Sequence, residues 1–209
     1  MKTAGLGKWR GGRIVVMGVL VATLGVVCVQ AQPRQSVTQV AAANGSDASA
    51  MLLIAAAGAG DLVSVRELVL SGSNVNAVVE SEGTALIAAV RTRNLAMVNE
   101  LLLLGADVSL AMRGDGNPLI AAAAKRDNAE VIERLIAAGA NVNAVVLGDE
   151  TALINASRSG GLDNVRMLVS HGADANLAVT TELGVRRSPL NQATVQSIRD
   201  YLIAQGARP

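Results

Sequence analysis

A twelve-residue phrase occurs twice in the chain. NAVVESEGTALI begins at Asn76 and NAVVLGDETALI begins at Asn143, 67 positions later, and eight of the twelve residues are identical. A divergent copy, SLAMRGDGNPLI, begins at Ser109, so the phrase recurs every 33 or 34 residues. A fixed period of this length is typical of proteins that stack one small unit, because a single unit cannot bury its apolar face alone. The repeat predicts a solenoid.

Glycines recur with the same period. Each follows an apolar stretch and opens a turn, and the spacings are 33, 34, 33 and 34. The five positions are Gly72, Gly105, Gly139, Gly172 and Gly206. Glycine is the residue that most readily adopts the left-handed conformation that ends a helix, so these positions predict five helix ends.

Two sets of capping residues predict two helices in each unit. The first helices are predicted to begin after Thr84, Asn117, Thr151 and Ser188. The second helices are predicted to begin after Asp61, Asn94, Asn128 and Gly161. LVSVRELVL, LAMVNELLLL, AEVIERLIAA and LDNVRMLVS follow these second caps with apolar residues at helical spacing. Each unit is therefore turn, helix, turn, helix and extended finger, and the fold class is all-α.

The period also predicts the domain organisation. Residues 32–49 are polar and Ala-rich without a period, which predicts a linker before a repeat domain at 50–209. The units are 50–82, 83–115, 116–149, 150–187 and a partial unit, 188–209. The last unit is three residues short and carries polar residues such as Gln196 and Asp200, which is typical of a terminal cap.

The N-terminus has the pattern of an export signal. Four basic residues precede an apolar run from 14 to 29, and Val29, Gln30 and Ala31 form a small-residue cleavage site. We expect cleavage between Ala31 and Gln32 to remove residues 1–31, which predicts a periplasmic or secreted protein. The alternative is an uncleaved membrane anchor, since the run approaches the ~17–20 residues that span a bilayer. The residues before Cys28 do not match a lipoprotein signal.

Composition without residues 1–31 excludes several functions. Fourteen Lys and Arg remain against seventeen Asp and Glu, a net charge of −3, and Tyr201 is the one aromatic residue. Nucleic-acid binding uses basic surfaces and aromatic stacking, so no nucleic acid is expected as a partner. The single cysteine is removed with the signal, so no disulfide is expected either.

The unit resembles the ankyrin repeat. The helix starts TAL, NPL, TAL and SPL and the turns GADVS and GANVN are similar to the T-P-L-H-x-A and G-A-D-V-N signatures of that family. The resemblance covers roughly residues 49–209 and implies a stack of helix pairs whose fingers and first helices line a concave, protein-binding face. The histidine of the signature is replaced by Ile87, Ile120 and Ile154. We therefore expect packing to hold the start of the first helix.

A looser resemblance lies within that family. GDETALINAS, RSPLNQA and IRDYLIAQGARP look similar to ankyrin tails fused to membrane-bound zinc metallopeptidases of the antibiotic-sensor type. An H-E-x-x-H site needs two histidines, and this chain has only His171, just before a helix-ending glycine. The sequence predicts no phosphate-binding loop, because it predicts no regular strand for one to follow. We expect no enzyme activity, cofactor or metal.

The fingers supply the first candidate binding residues. Their tips are usually polar in ankyrin repeats, but here apolar residues recur beside acidic ones. The candidates are Val78, Glu80, Met112, Arg113, Val145 and Leu147. Neighbouring fingers packing against one another would explain this row, and so would a row of contacts for a partner. The acidic pair Asp149 and Glu150 is interpreted as solvated.

Cations near the ends of the first helices supply a second set. Its members are Arg91, Arg93, Lys125, Arg126 and Arg158. They are expected either to stabilise helix C-termini or to form a basic stripe that steers an acidic partner.

The fourth finger contains an insertion. Gly172 and Leu190 are eighteen positions apart where other units have fourteen, and the added segment carries Arg186 and Arg187. This is interpreted as a tolerated surface insertion or as an element that determines specificity.

These observations predict a non-catalytic module of the bacterial cell envelope that binds another protein and is a monomer. Two alternatives share the fold: an inhibitory, immunity-like or protective accessory of an envelope enzyme, and a membrane-anchored scaffold that requires the signal to remain uncleaved.

Overall fold

The computed structural model of the chain describes residues 45–80, 82–112, 114, 116–146 and 150–208. The first helices of the five units are α1 (Gly45–Ala59), α3 (Ala85–Arg91), α5 (Pro118–Ala123), α7 (Ala152–Ser159) and α9 (Pro189–Gln192). The second helices are α2 (Leu62–Leu70), α4 (Leu95–Leu103), α6 (Ala129–Ala137), α8 (Leu162–Ser170) and α10 (Gln196–Ala204). The predicted signal 1–31, its cleavage pair Ala31 and Gln32, and the candidates Arg113 and Leu147 lie outside these residues.

The helices stack in sequence order. Each first helix packs against its own second helix and against the first helix of the next unit, from α1 to α9. The second helices contact one another in the series α4, α6, α8 and α10. The predicted all-α repeat solenoid is therefore confirmed. No helix within the described part of the chain has the length and apolar character needed to cross a membrane.

One continuous apolar core runs through the stack. Equivalent leucines of successive first helices, Leu53, Leu86, Leu119 and Leu153, are each 1% exposed and belong to the same cluster as the buried faces of the second helices. The core contains many alanines, and their small side chains let neighbouring helices approach closely. Ile87, Ile120 and Ile154, which replace the family histidine, are also buried, so packing contributes at the start of the first helix as expected.

The predicted helix boundaries agree with the structure. Thr84, Asn117, Thr151 and Ser188 each cap a first helix through the side chain. The five helix-ending glycines have φ between +88° and +100°, which is the left-handed region. In the first unit α1 begins at Gly45, so the last five residues of the segment 32–49 are helical.

The expectation of no regular strand is wrong at one finger. In the fourth unit β1 (Val179–Thr180) pairs with the antiparallel β2 (Arg186–Arg187). The first and second fingers each close with a single bridge, Val79 to Gly83 and Met112 to Gly116. The insertion of the fourth finger supplies the extra residues that turn such a bridge into a two-stranded ladder.

Asparagines in the fingers link successive units. The Asn143 side chain donates to the Gly172 carbonyl at 3.0 Å and accepts from the Asp174 amide at 2.9 Å. Asn76 and Asn176 make the same two hydrogen bonds to the units that follow them. The equivalent residue of the second unit is Ser109, whose hydroxyl donates to Asp107 of its own turn at 2.6 Å.

Candidate functional site

A groove runs between the first helices and the fingers. One hollow, of about 500 Å³, lies between α1 and α3 and is lined by Met51, Ile54, Ala55, Gly58, Glu82, Ala88, Arg91 and Thr92. A second, of about 190 Å³, is lined by Arg91, Gly114, Ile120, Ala121, Ala124, Lys125 and Asn155. The two hollows share Arg91. We define these lining residues together as the groove.

Small side chains form the floor of the groove. Ala55, Ala88 and Ala121 occupy the same position in the first helices of consecutive units, two residues after the core leucine. The same position is Asn155 in the fourth unit. The floor is therefore apolar at its N-terminal end, where Met51 is 54% exposed, and becomes polar toward the fourth unit.

Two candidate cations line the groove. The Arg91 guanidinium donates to the Glu82 carbonyl at 3.3 Å, which joins α3 to the first finger. The Lys125 ammonium is exposed and makes no hydrogen bond or ion pair with any other described residue. Lys125 is therefore available to an acidic group on a partner.

Two further cations of the predicted stripe join consecutive units. Arg93 donates to the Arg126 carbonyl at 3.5 Å, and the Arg126 side chain donates to the Ser159 carbonyl. Each reaches one unit ahead: Arg93 to the turn between α5 and α6, and Arg126 to the last residue of α7. These guanidiniums hold neighbouring units together, a role that neither sequence interpretation included.

The interpretation of Glu150 as a solvated acid is wrong. Glu150 is only 5% exposed, and both Arg158 and Arg187 form ion pairs with its carboxylate. Arg158 also donates to Gln192 at 3.3 Å. Desolvation, and secondarily repulsion from Arg187, lowers the pKa of Arg158 below its usual value. A buried carboxylate therefore draws two guanidiniums together where repulsion would otherwise separate them.

The apolar finger residues divide into two rows. Val79, Met112 and Val146 pack against the core. The residues just before them face solvent, with Val78 51% and Val145 54% exposed. This alternation is what an extended strand produces, because successive side chains point to opposite sides. Packing explains the first row, and the second row remains open to a partner.

The remaining candidates lie on the surface. Glu80 and Arg186 are exposed. Nδ1 of His171 lies 2.9 Å from the Met167 carbonyl at the end of α8, so the ring nitrogen donates to the helix C-terminus. Within the described residues, no group of three or more His, Cys, Asp or Glu could hold a metal ion.

The sequence contained a signal for Glu150 and Arg187 that the motif analysis missed. The residue immediately before the cap of the first helix is Gly83 or Gly116 in two units, but Glu150 and then Arg187 in the next two. Opposite charges at equivalent positions of adjacent units predict a pair across a stack, in the way that opposed charges on neighbouring strands do.

Comparisons with known families agree with this geometry. Residues 102–179 match the profile described as ankyrin repeats in three copies, and residues 83–113 match that of a single ankyrin repeat. A comparison with curated proteins found no match. Ankyrin repeats are typically non-catalytic protein-interaction domains.

Proposed function

We propose that this chain, whose residues 83–179 are ankyrin repeats, binds another protein through the groove and catalyses no reaction. The observation that supports this proposal is the groove itself. Its two adjoining hollows are open to solvent, lie along the first helices and share Arg91. An interface combines accessible apolar area with polar groups at its rim, and the groove offers both.

The lining of the groove favours an extended segment of a partner. Met51 and Ile54 at one end suit an apolar side chain, while Lys125 and Asn155 toward the other end suit a carboxylate. Small floor residues leave room for the backbone of such a segment. The ligand class is therefore a protein segment with an apolar residue followed or preceded by acidic ones.

The place of action is the cell envelope in this proposal. The basic start, the apolar run 14–29 and the site at Ala31 and Gln32 support export. Trp9 is the only tryptophan and would leave with the signal, so the exported protein should show no tryptophan fluorescence. Tryptophan emission from the purified exported protein would contradict cleavage and favour the anchored form.

A charge reversal at Lys125 tests the groove. The Arg126 and Arg158 side chains bond to the units that follow them, so reversing their charge would disturb the fold, whereas the Lys125 side chain makes no such contact. We expect Lys125→Glu to weaken capture of the partner from an envelope fraction at least tenfold, in line with the loss of a close charge pair. Arg208→Glu is the matched control, because Arg208 is exposed and lines neither hollow.

The exposed row of finger residues allows a second test of the groove. Val78→Asp places a charge on the exposed row beside the groove without touching the core. If capture survives both Lys125→Glu and Val78→Asp while the circular dichroism spectrum is unchanged, the groove is not the binding surface.

A further inference from the structure

The fourth finger projects farther than the first two. The pair Val179 and Arg187 corresponds to the bridge Val79 and Gly83 of the first finger. Beyond it the fourth finger adds the pair Thr180 and Arg186, and then a hydrogen bond of 3.0 Å from the Thr181 amide to the Val185 carbonyl. Each added pair lengthens a strand by ~3.3 Å, so the finger is longer by about 7 Å.

Hydrogen bonds hold this longer finger in one conformation. At its tip the Thr181 hydroxyl accepts from the Val185 amide at 3.2 Å, and the Thr181 carbonyl accepts from Gly184 at 2.8 Å. At its base Arg187 pairs with the buried Glu150, and Asn191 donates to the Arg186 carbonyl at 2.9 Å. These contacts support the finger at its tip and at its base.

The tip of the fourth finger carries a leucine where the tips of the first two fingers are polar. Its three turn residues are Glu182, Leu183 and Gly184, against Glu-Ser-Glu in the first finger and Arg-Gly-Asp in the second. Leu183 is 90% exposed, and Val185 beside it is 52% exposed. A leucine held in water at the end of a braced hairpin has its apolar surface ready for burial by another molecule.

The charge at the base of the fourth finger indicates which charge a partner surface facing it would carry. Arg158 and Arg187 share the single carboxylate of Glu150, and their side chains are 41% and 38% exposed. With Arg186 and the tip residue Glu182 included, the finger and its base carry three arginines against two glutamates, a net charge of +1. A complementary surface carries carboxylates.

We propose that Leu183 inserts into an apolar pocket with a carboxylate-bearing rim on the protein that the groove binds. The extra length lets the finger enter a depression that the shorter fingers do not reach. This inference rests on the proposed function and names a second contact for the same partner. A lipid bilayer fits less well, because acidic Glu80 and Glu82 on the first finger would be repelled by an anionic surface.

Photocrosslinking followed by affinity measurement tests the proposal. The full chain, made in its own cells, carries p-benzoylphenylalanine in place of Leu183 or of Ala124 in the groove. Leu70 on α2 is the control position. We expect the first two positions to crosslink the same protein. That protein, once purified, is titrated against the unmodified chain, Leu183→Ala and Leu103→Ala. Leu103, on α4, is 78% exposed and serves as the matched control.

We expect Leu183→Ala to weaken the affinity at least about tenfold, because burial of a leucine side chain contributes that much, and Leu103→Ala to change it by less than about twofold. Equal affinities of the two variants would overturn the proposal. Crosslinking from Ala124 but not from Leu183 would overturn it and leave the proposed function standing. Crosslinking from neither would overturn both.

The same experiment also detects two other molecules that the tip of the fourth finger could bind. A covalent dimer of the chain formed from position 183 would show that the tip binds a second copy. Sedimentation with phosphatidylethanolamine and phosphatidylglycerol vesicles that is lost in Leu183→Ala would show that it binds a membrane. Either result contradicts the proposal.

Discussion

At the scale of single residues, the turn between the two helices of a unit shows where the sequence departs from its own pattern. Gly60 and Gly160 have φ of +77° and +79° at this turn, but Arg93 and Asp127 adopt φ of +56° and +55° at the turns of the second and third units. A left-handed backbone costs about 1 kcal/mol or more for a residue with a side chain. The two middle turns are therefore strained.

Replacing Asp127 by glycine should relieve this strain. We expect Asp127→Gly to raise the free energy of unfolding by about 0.5–1 kcal/mol, measured from urea denaturation. Gly160→Ala is the opposite control: an added Cβ would lie 2.8 Å from an Arg126 nitrogen, in addition to the strained φ, so stability should fall. A destabilised Asp127→Gly would show that its side chain makes a contact that outweighs the strain.

Removing the charge of Glu150 should leave two guanidiniums without their shared carboxylate. We expect Glu150→Gln to lower the free energy of unfolding by about 1–3 kcal/mol, less than for a fully buried pair because both arginines are partly exposed. The double variant Glu150→Gln with Arg187→Gln should recover part of this loss. Urea denaturation of the set provides the check, and an unchanged midpoint for Glu150→Gln would contradict the account.

Residue-level prediction succeeded where a local rule applies. Caps such as Thr84 and Thr151 could be predicted because they satisfy amide groups three residues away. No local rule applies to Glu150, since its partner Arg187 lies 37 residues later and only alignment of the units brings the two positions together. A loop acid has no local property that distinguishes a solvated carboxylate from one covered by a later segment.

At the scale of elements, each junction between units has its own strength. Asn76, Asn143 and Asn176 each join a finger to the next unit with two hydrogen bonds. The second unit has Ser109 instead, and its hydroxyl bonds within its own turn. The junction between the second and third units therefore lacks this connection, although the underlying core is continuous.

Restoring the missing asparagine should strengthen that junction. We expect Ser109→Asn to add hydrogen bonds to the Gly139 carbonyl and the Asn141 amide and to stabilise the chain by about 1–2 kcal/mol. Amide exchange of Asn141 should slow in the same variant. Asn143→Ser, which creates the same gap one unit later, is the control and should destabilise by a similar amount. Faster exchange at Asn141 in Ser109→Asn would count against the bridge.

The second helices of the first two units are joined by an ion pair that should respond to pH. Nε and Nη2 of Arg66 lie 2.5 and 2.7 Å from the two carboxylate oxygens of Glu100. These hydrogen bonds lower the pKa of Glu100 below its ordinary value, against an opposing effect of desolvation. Because the folded pKa is the lower one, the pair stabilises the fold above the unfolded pKa of about 4.3 and is lost as pH falls further.

An NMR titration of Glu100 checks the direction of this shift. Arg66→Gln should raise the pKa of Glu100 and reduce the dependence of stability on acid pH. Arg208→Gln, which changes the charge equally at the other end of the stack, should leave the Glu100 titration where it was. A Glu100 pKa that does not move in Arg66→Gln would contradict the assignment.

At the scale of the whole molecule, the period of 33 or 34 residues carried most of the predictive information. It predicted stacked helix pairs because each unit can bury its apolar face only against a neighbour. The period by itself could not predict which surface side chains bond to the next unit and which face the groove. Arg126 and Lys125 are adjacent in sequence, yet the first binds the next unit and the second faces the groove. That difference depends on side-chain direction, which the repeat does not encode.

Hydrogen–deuterium exchange of the chain, free and bound to its captured partner, tests the central claim that the stack binds a protein through one side. The account predicts slower exchange on binding in 82–92, in 116–125 and in the fourth finger, with little change in the second helices α2, α4 and α6. Protection confined to those second helices, with the groove segments unchanged, would contradict it.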